Sequence, residues 1–289
     1  MSFSIERMLK YALESGASDL HLSTGSIPMV RIHGDMKKLQ LPKMDNESMT
    51  EIAKEVLNEN QQGIFKEKLE IDFSTELEGK GRFRVNFFQQ LNGISAVFRT
   101  IPSVIKSSEE LGIPPILNQL AELDRGLVLM TGPTGSGKST TLAAMIDHIN
   151  EVQDRHIITV EDPVEYFHSS KSSLINQREL GHSTHSFANA LKSALREDPD
   201  VILVGELRDL ETIGMALTAA ETGHLVFGTL HTSGAPNTIN RIIDVFPPEQ
   251  QAQIRAQIST SLKMVVTQRL LKTKDGQGRC GAFEVMKCT

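Results

Sequence analysis

The spacing of apolar residues along the chain changes once, near residue 115. Before that point, short segments alternate apolar and polar positions, as in "EIDFSTEL" (70–77), "RFRVNFFQQ" (82–90) and "ISAVFRT" (94–100), with the turns "EGKG" and "NG" between them. A period of two is typical of antiparallel strands that bury one face. One-face helical spacing predicts a helix over residues 5–15, and residues 45–62 are predicted to be helical and polar. Residues 1–100 are therefore predicted to form an α+β domain.

After residue 115 the apolar runs become nearly continuous. The segments "GLVLMTG", "HIITVED", "DVILVGE" and "HLVFGTLH" alternate with helical stretches. Fully apolar strands that alternate with helices are typical of a parallel sheet covered on both faces. Residues 117–289 are therefore predicted to form an α/β domain with a mostly parallel sheet. The segment 101–116 carries three of the eleven prolines, and we expect it to be a linker.

A phosphate-binding loop follows the first of these apolar strands. The segment "GPTGSGKST" fits the pattern G-x-x-x-x-G-K-[ST], with a strand before it and a helix after it. Its glycines let backbone N–H groups and the helix N-terminus face an anion. Lys138 is expected to reach the β- and γ-phosphates of ATP, and the Ser139 hydroxyl to bind Mg²⁺. The residues predicted to bind nucleotide are Gly132, Pro133, Thr134, Gly135, Ser136, Gly137, Lys138, Ser139 and Thr140.

The strand "DVILVGE" ends in Gly205 and Glu206. In an open parallel sheet, ligands bind beyond the carboxyl ends of the strands, which is where Glu206 falls. We expect Gly205 to leave room for a water or a metal ion, and Glu206 to orient or deprotonate the attacking water. The alternative is an exposed carboxylate that pairs with Arg208.

The strand "IITVED" also ends in acids. Glu161, Asp162 and, after a proline, Glu165 could hold Mg²⁺ through water or polarise the nucleophile. Glu161 is the favoured candidate because it lies nearest the strand end. A solvated acidic loop is the alternative.

Two histidines flank the strand in "TGHLVFGTLHTS". His224 and His231 are seven residues apart, which spans about 23 Å on an extended strand, and their side chains point to opposite faces. They cannot both contact one phosphate within one subunit. His231, at the carboxyl end, is the candidate for contacting the γ-phosphate, whereas His224 is expected to be structural or to lie at a subunit contact.

In "RFRVNFF", Arg82 and Arg84 share one face of a strand while Phe83, Val85 and Phe87 take the other. The arginines either form an ordinary polar outer face or offer arginine fingers to a phosphate outside their own domain. The sequence pattern leaves both interpretations open.

Composition narrows the class of protein. A net charge of −6 argues against nucleic acid as the main partner, which would favour a basic face. The two cysteines, Cys280 and Cys288, have no zinc-motif spacing, so we expect reduced thiols and no structural zinc. The N-terminus lacks an apolar signal segment, and no segment approaches 18 consecutive apolar residues. We therefore expect a cytoplasmic protein that can dock on a membrane complex.

Four motifs in order resemble one family. The phosphate loop, "TVEDPVEY", "LREDPDVILVGELRD" and "TGHLVFGTLHT" are similar to those of the secretion-ATPase superfamily of type II secretion, type IV pilus and conjugation motors. The segments "GASDLHLSTGSIPMVRIHGDM" and "GRFRVNFFQQ" resemble the PilT type of pilus retraction ATPase. The resemblance covers nearly the whole chain.

The resemblance implies an N-terminal PAS-like domain, a C-terminal RecA-like ATPase domain and a ring-shaped homohexamer. ATP would then lie between the two domains, with Arg82 and Arg84 as the arginines delivered from the N-terminal domain. Glu206 matches the catalytic glutamate of the family, and Glu161 matches the acid of its acidic box. The implied partners are an inner-membrane pilus platform protein and, indirectly, pilin, at the cytoplasmic face of the inner membrane.

Family members differ outside these motifs. Pilus extension and type II secretion ATPases carry an extra N-terminal domain and a four-cysteine zinc element, neither of which is present in this sequence, which favours retraction. Retraction ATPases continue past "AFEVM" into a helical region, whereas this sequence ends at Thr289, so we expect a truncated C-terminal end. The alternatives are an accessory PilU-type or other secretion ATPase, a nucleotide-gated scaffold and a small-molecule kinase.

Overall fold

The chain folds into two compact units, residues 1–103 and residues 104–289. The structure is a computed structural model, and it describes residues 4–32, 34–77, 80–102, 104–274 and 278–288. The division falls inside the segment 101–116 that was predicted to be a linker. Ile113, from the same segment, is buried in the core of the second unit with Leu117.

The first unit is an antiparallel sheet with helices packed against it. Its six strands lie in the order β3-β2-β1-β6-β5-β4, and every neighbouring pair is antiparallel. The elements are α1 (Ile5–Glu14), β1 (Asp19–Ser23), β2 (Met29–Ile32), β3 (Asp35–Lys38), α2 (Asn46–Val56), α3 (Glu59–Lys68), β4 (Glu70–Leu77), β5 (Gly81–Gln90) and β6 (Gly93–Ile101).

The core of this unit follows the predicted alternation. Phe83, Val85 and Phe87 are fully buried, and Phe87 packs edge-to-face on Phe98 of β6. The helix predicted over residues 5–15 ends at Glu14, one residue early. The stretch predicted to be helical over residues 45–62 consists of α2 and the start of α3, because the chain leaves the helix at Leu57 and Asn58 caps the next one.

The second unit is an α/β structure whose sheet has helices on both faces. Among the described residues, seven strands lie in the order β13-β12-β7-β11-β10-β8-β9, and of these only the β12–β13 pair is antiparallel. The elements are α4 (Pro115–Ala121), β7 (Gly126–Thr131), α5 (Lys138–Val152), β8 (His156–Glu161), β9 (Leu174–Glu179), α6 (Phe187–Ala194), β10 (Val201–Val204), α7 (Leu210–Glu221), β11 (Leu225–Leu230), α8 (Ala235–Asp244), α9 (Pro248–Ser261), β12 (Leu262–Lys272) and β13 (Arg279–Lys287).

Each face of this sheet has its own apolar core. One face packs against α6, α7, α8 and α9, and the other against α4 and α5. The central strands β7, β10 and β11 are buried along their whole length, as expected for strands covered on both sides. The predicted α/β class with a mostly parallel sheet is confirmed. The PAS-like character of the first unit stays a prediction.

No helix in the described part of the chain is both long enough and apolar enough to cross a bilayer.

Candidate nucleotide-binding and catalytic site

Four neighbouring strands deliver predicted site residues to one edge of the second sheet. β7 runs into the phosphate loop, β11 ends just before His231, β10 ends two residues before Glu206, and β8 ends at Glu161. The four strands are parallel, so their carboxyl ends meet at the same edge. This edge is where open α/β sheets bind ligands.

The phosphate loop depends on glycine at both ends. Gly132 and Gly137 have φ angles of +135° and +88°, which side chains rarely tolerate. A Cβ at Gly132 would lie 2.3 Å from the backbone oxygen of Gln268. Between the two glycines, the Ser136 hydroxyl is buried and has no hydrogen-bond partner among the described residues. A buried unpaired hydroxyl inside a loop of this geometry fits a phosphate oxygen as its partner.

Lys138 is folded back onto the loop that precedes it. Its Nζ donates hydrogen bonds to the carbonyl oxygens of Gly132 at 2.8 Å and Pro133 at 3.1 Å. Burial lowers the pKa of Lys138 below its ordinary value, while the charges of Glu206 and Glu165 act in the opposite direction. The ammonium is thus a buried cation within the electrostatic influence of the Glu206 and Glu165 carboxylates.

Glu206 is held by two basic side chains. Arg208 lies 2.6 Å from Oε2, and His231 Nε2 lies 3.2 Å from Oε1. The hydrogen bond with Arg208 holds the pKa of Glu206 below its ordinary value, against the opposing effect of burial, and the charges of Arg208 and His231 add to the lowering. Glu206 therefore pairs with Arg208, as the alternative to a catalytic role predicts. It also lies at the edge of the sheet where the other site residues meet. The catalytic role of Glu206 and His231 stays a prediction.

Glycine is needed at position 205 for a different reason from the one expected from the sequence. Its amide donates to the Val160 oxygen at 2.8 Å, and a Cβ at this position would lie 3.1 Å from the Glu161 Cα. The expected space for a water or a metal ion is therefore occupied by the backbone of β8. Glycine here permits the close approach of two strand ends.

Glu161 is surrounded by neutral hydrogen-bond donors. Thr159 Oγ1 donates at 2.7 Å and Gln177 Nε2 at 3.3 Å to Oε1, and the Glu165 amide lies 3.5 Å from Oε2. Burial raises the pKa of Glu161 to about 7, and these hydrogen bonds only partly offset it. Glu161 is therefore part of the folded strand end and not of a solvated loop. Its catalytic role stays a prediction.

Two hydroxyl groups in the first turn of α5, those of Ser139 and Thr140, come directly after Lys138. The Ser139 hydroxyl is half-buried and makes no hydrogen bond within the described residues, whereas Thr140 Oγ1 is paired with the Tyr166 hydroxyl at 2.8 Å. Magnesium is bound in phosphate sites by few protein oxygens together with substrate phosphates. The free Ser139 hydroxyl beside the loop fits that requirement, whereas Thr140 fits it less well because it is engaged.

The first histidine of the motif, His224, lies away from this edge. His224 precedes β11, and its Nδ1 lies 2.9 Å from the Ala219 oxygen at the end of α7. The expectation that His224 is structural or lies at a subunit contact stays a prediction.

Arg82 and Arg84 belong to the first unit, on the polar face of β5. Arg84 forms an ion pair with Asp72 of β4 at 2.6 Å, and both side chains are a little under half exposed. Across the sheet, Arg84 is in register with Arg99, which binds the buried Asp19 at 2.9 Å. The alternation of the arginines with the buried Phe83 is as expected, but the finger role is a proposal.

Sequence reasoning did not single out several residues that build the site. Gln177 of β9 bonds Glu161, the Tyr166 oxygen and the His168 amide, and Gln268 of β12 contacts the phosphate loop. Both are polar residues in strands next to the four central ones. The only sequence signal was an amide residue inside an otherwise apolar or alternating strand.

Comparison with known proteins places the chain in a family of secretion system proteins. A model of the family described as Type II/IV secretion system protein matches residues 2–286. The chain is 60% identical over 259 residues to a twitching motility protein of Neisseria gonorrhoeae, covering 90% of this chain and 69% of the relative. It is 54% identical over 282 residues to the type IV pilus retraction ATPase PilT of Pseudomonas aeruginosa, covering 98% and 82%. The crystal structure of the pilus retraction motor PilT with bound ADP superposes with a TM-score of 0.95 at 49% identity, covering 99% of this chain and 84% of that one.

Proposed function

We propose that this chain, which belongs to the Type II/IV secretion system protein family, hydrolyses ATP to power the retraction of type IV pili. The predicted resemblance to retraction ATPases of the PilT type is confirmed by matches that span nearly the whole chain. The observation that carries the proposal is the convergence of Lys138, His231, Glu206 and Glu161 at the carboxyl ends of four adjacent parallel strands.

The arrangement supplies the parts that phosphoryl transfer to water needs. Glu206, whose pKa is held low, remains a carboxylate at neutral pH and can orient the attacking water or accept its proton. Lys138 turns from the Gly132 and Pro133 carbonyls to the β- and γ-phosphates when ATP binds. His231, whose Nε2 lies 3.2 Å from Glu206 Oε1, would contact the γ-phosphate.

The Ser139 hydroxyl would hold Mg²⁺ together with phosphate oxygens. The ion supplies positive charge that offsets the charge developing on the phosphates. The chain itself supplies the loop backbone, Lys138 and the carboxylates at the strand ends.

The active unit is proposed to be a homohexameric ring. Arg82 and Arg84 would act on the phosphates held by another subunit, so an isolated subunit should hydrolyse ATP poorly. The test mixes Arg84→Ala chains with Lys138→Ala chains, each inactive alone. Recovered phosphate release is expected, because a mixed interface can join an intact phosphate loop to intact arginines. Rings shown to contain both chains without recovery would assign the arginines to their own subunit.

In the cell, the ring is proposed to act at the cytoplasmic face of the inner membrane on a pilus platform protein, and through it on pilin. The test expresses this chain in a bacterium that lacks its own retraction ATPase and measures twitching motility, with Lys138→Ala as the matched control. Restored motility by the wild-type chain alone is expected.

Three outcomes separate the alternatives. Phosphate release without restored motility would favour an accessory or other secretion ATPase. Binding of ATP with negligible steady-state phosphate release would favour a nucleotide-gated scaffold, and a phosphorylated small-molecule product would favour a kinase.

A further inference from the structure

Gln268 breaks the apolar pattern of the strand that carries it. Met264 and Val266 of β12 are fully buried in the core that faces α5, and Gln268 continues the same row with only 3% of its surface exposed. An apolar residue would fill this position without cost if packing were its only role. A buried amide is unfavourable unless its polar atoms have partners.

The amide group of Gln268 lies against the phosphate loop. Its Oε1 accepts a hydrogen bond from the Thr141 hydroxyl at 2.9 Å, in the first turn of α5. A Cβ placed on Gly137 would lie 2.9 Å from its Nε2, and one placed on Gly132 would lie 2.3 Å from its backbone oxygen. One residue thus contacts both ends of the loop. Next to it, the hydroxyls of Thr131 and Thr267 are 2.8 Å apart and fix β12 to the strand that enters the loop.

These contacts differ from the one that Lys138 makes. Lys138 ties the loop together from within, through the Gly132 and Pro133 carbonyls, and that tie ends when the ammonium turns to a phosphate. The contacts of Gln268 come from a neighbouring strand and do not use the ammonium. They remain available when nucleotide is bound.

We propose that Gln268 is a positioning residue that keeps the two ends of the phosphate loop in their nucleotide-binding geometry. It acts through Thr141 and the two glycines and does not itself touch the phosphates. This inference rests on the proposed function, since it assigns a role within the same site.

The test compares four variants with the wild-type chain. Gln268→Met keeps length and removes both polar atoms, Thr141→Val removes the hydroxyl at constant shape, Thr141→Ser restores it, and the fourth combines Gln268→Met with Thr141→Val. In Gln268→Met the Thr141 hydroxyl can fall back on a carbonyl of its own helix, whereas Thr141→Val leaves the buried Gln268 amide oxygen without this donor. Dissociation constants are measured with a fluorescent ATP analogue, and KM and kcat by phosphate release.

Loss of the hydrogen bond is expected to raise the dissociation constant and KM roughly tenfold in Gln268→Met and Thr141→Val, with kcat at saturation within about twofold of wild type. Thr141→Ser should retain wild-type affinity. The combined variant should bind no more weakly than Gln268→Met alone, because both changes remove one interaction.

A second readout uses no nucleotide. Amide hydrogen exchange over residues 132–141 is expected to be faster in Gln268→Met than in wild type, with unchanged exchange in β4 and β5 of the first unit. Wild-type affinity in Thr141→Val, or additive losses in the combined variant, would overturn the positioning role. A wild-type chain without affinity for ATP would overturn the proposed function, and with it this inference; wild-type affinity together with unaltered variants would overturn the inference alone.

Discussion

The ends of β8 and β10 carry the same kind of residue in two different environments. The strands are adjacent and parallel, with Val160 in register with Val204; β8 ends at Glu161, and β10 ends two residues before Glu206. Glu161 is surrounded by neutral donors, and burial raises its pKa to about 7. Glu206 is bound by Arg208 and His231, and its pKa lies below the ordinary value. Partners and burial, not residue type or position at the sheet edge, set the charge of each carboxylate.

The difference assigns separate tasks to the two glutamates. A carboxylate that stays charged at neutral pH and faces the Lys138 ammonium suits the activation of water. Glu161, whose carboxyl group is close to half-protonated at neutral pH and is hydrogen-bonded to Thr159 and Gln177, is suited to stabilising the end of β8. The following predictions test this division.

The largest effect is expected from Glu206→Gln. The amide keeps the shape of the side chain but cannot accept a proton, so turnover should fall by about 10²–10⁴-fold while ATP affinity is retained. Phosphate release and equilibrium nucleotide binding measure the two quantities. Glu211→Gln, an exposed carboxylate at the start of α7, is the matched control and should behave as wild type. Near-normal hydrolysis by Glu206→Gln would leave Glu206 with only its surface pairing to Arg208.

Lys138→Ala tests the cation that Glu206 faces. Removing a charged donor to the phosphates should weaken ATP binding by on the order of 100-fold, and turnover should fall with it. Titration with a fluorescent ATP analogue gives the affinity, and Lys171→Ala, remote on the surface with Asp147 and Glu151 as partners, serves as control. Unchanged affinity in Lys138→Ala would mean that the ammonium stays on the Gly132 and Pro133 carbonyls when nucleotide binds.

The residues of the site differ in how far the sequence predicts their position. The phosphate loop is contiguous, and Glu161, Glu206 and His231 each end an apolar run, so parallel pairing alone brings them to one edge. Gln177 and Gln268 cannot be placed in the same way, because they lie on β9 and β12. The sequence does not show which strands these two pair with in the sheet.

Local signals explain two further differences. The hydrophobic pattern over residues 45–62 does not show where α2 ends and α3 begins, because it is polar on both sides; the local signal is the capping box that Asn58 and Gln61 form. The sequence predicts open space beside Gly205, whereas the backbone of β8 lies there. A single glycine at a strand end is compatible with either arrangement.

Glu161→Gln tests the neutral environment through stability. The folded pKa of Glu161, about 7, lies above the ordinary value near 4.5, so between these pH values the folded chain binds more protons than the unfolded chain. The contribution of Glu161 to the free energy of unfolding therefore falls as the pH rises from about 4.5 to about 7. Glutamine lacks this dependence. Between pH 5 and pH 8, the stability of Glu161→Gln relative to wild type should rise by on the order of 2–3 kcal/mol.

Urea unfolding of both chains at the two pH values measures this change. The other titrating groups are common to wild type and variant and cancel in the difference. A constant difference across pH would show that Glu161 titrates near its ordinary value and that the two strand ends are alike.

The smallest effect is expected from Arg208→Ala, which removes the partner that lowers the pKa of Glu206 most. Arg208 is 68% exposed, and exposed ion pairs contribute about 0–1 kcal/mol, so stability should change little. At pH 8 Glu206 is ionised with or without Arg208, and turnover should stay within about threefold of wild type.

Towards pH 5 the Arg208→Ala variant should lose turnover sooner, because the pKa of Glu206 rises towards its ordinary value and the charged form is depleted earlier. The ratio of variant to wild-type turnover, measured from pH 8 to pH 5, should therefore decline with acidity. A ratio that does not vary with pH would mean that Arg208 does not control the charge of Glu206, and that the contrast between the two strand ends rests on burial and on His231.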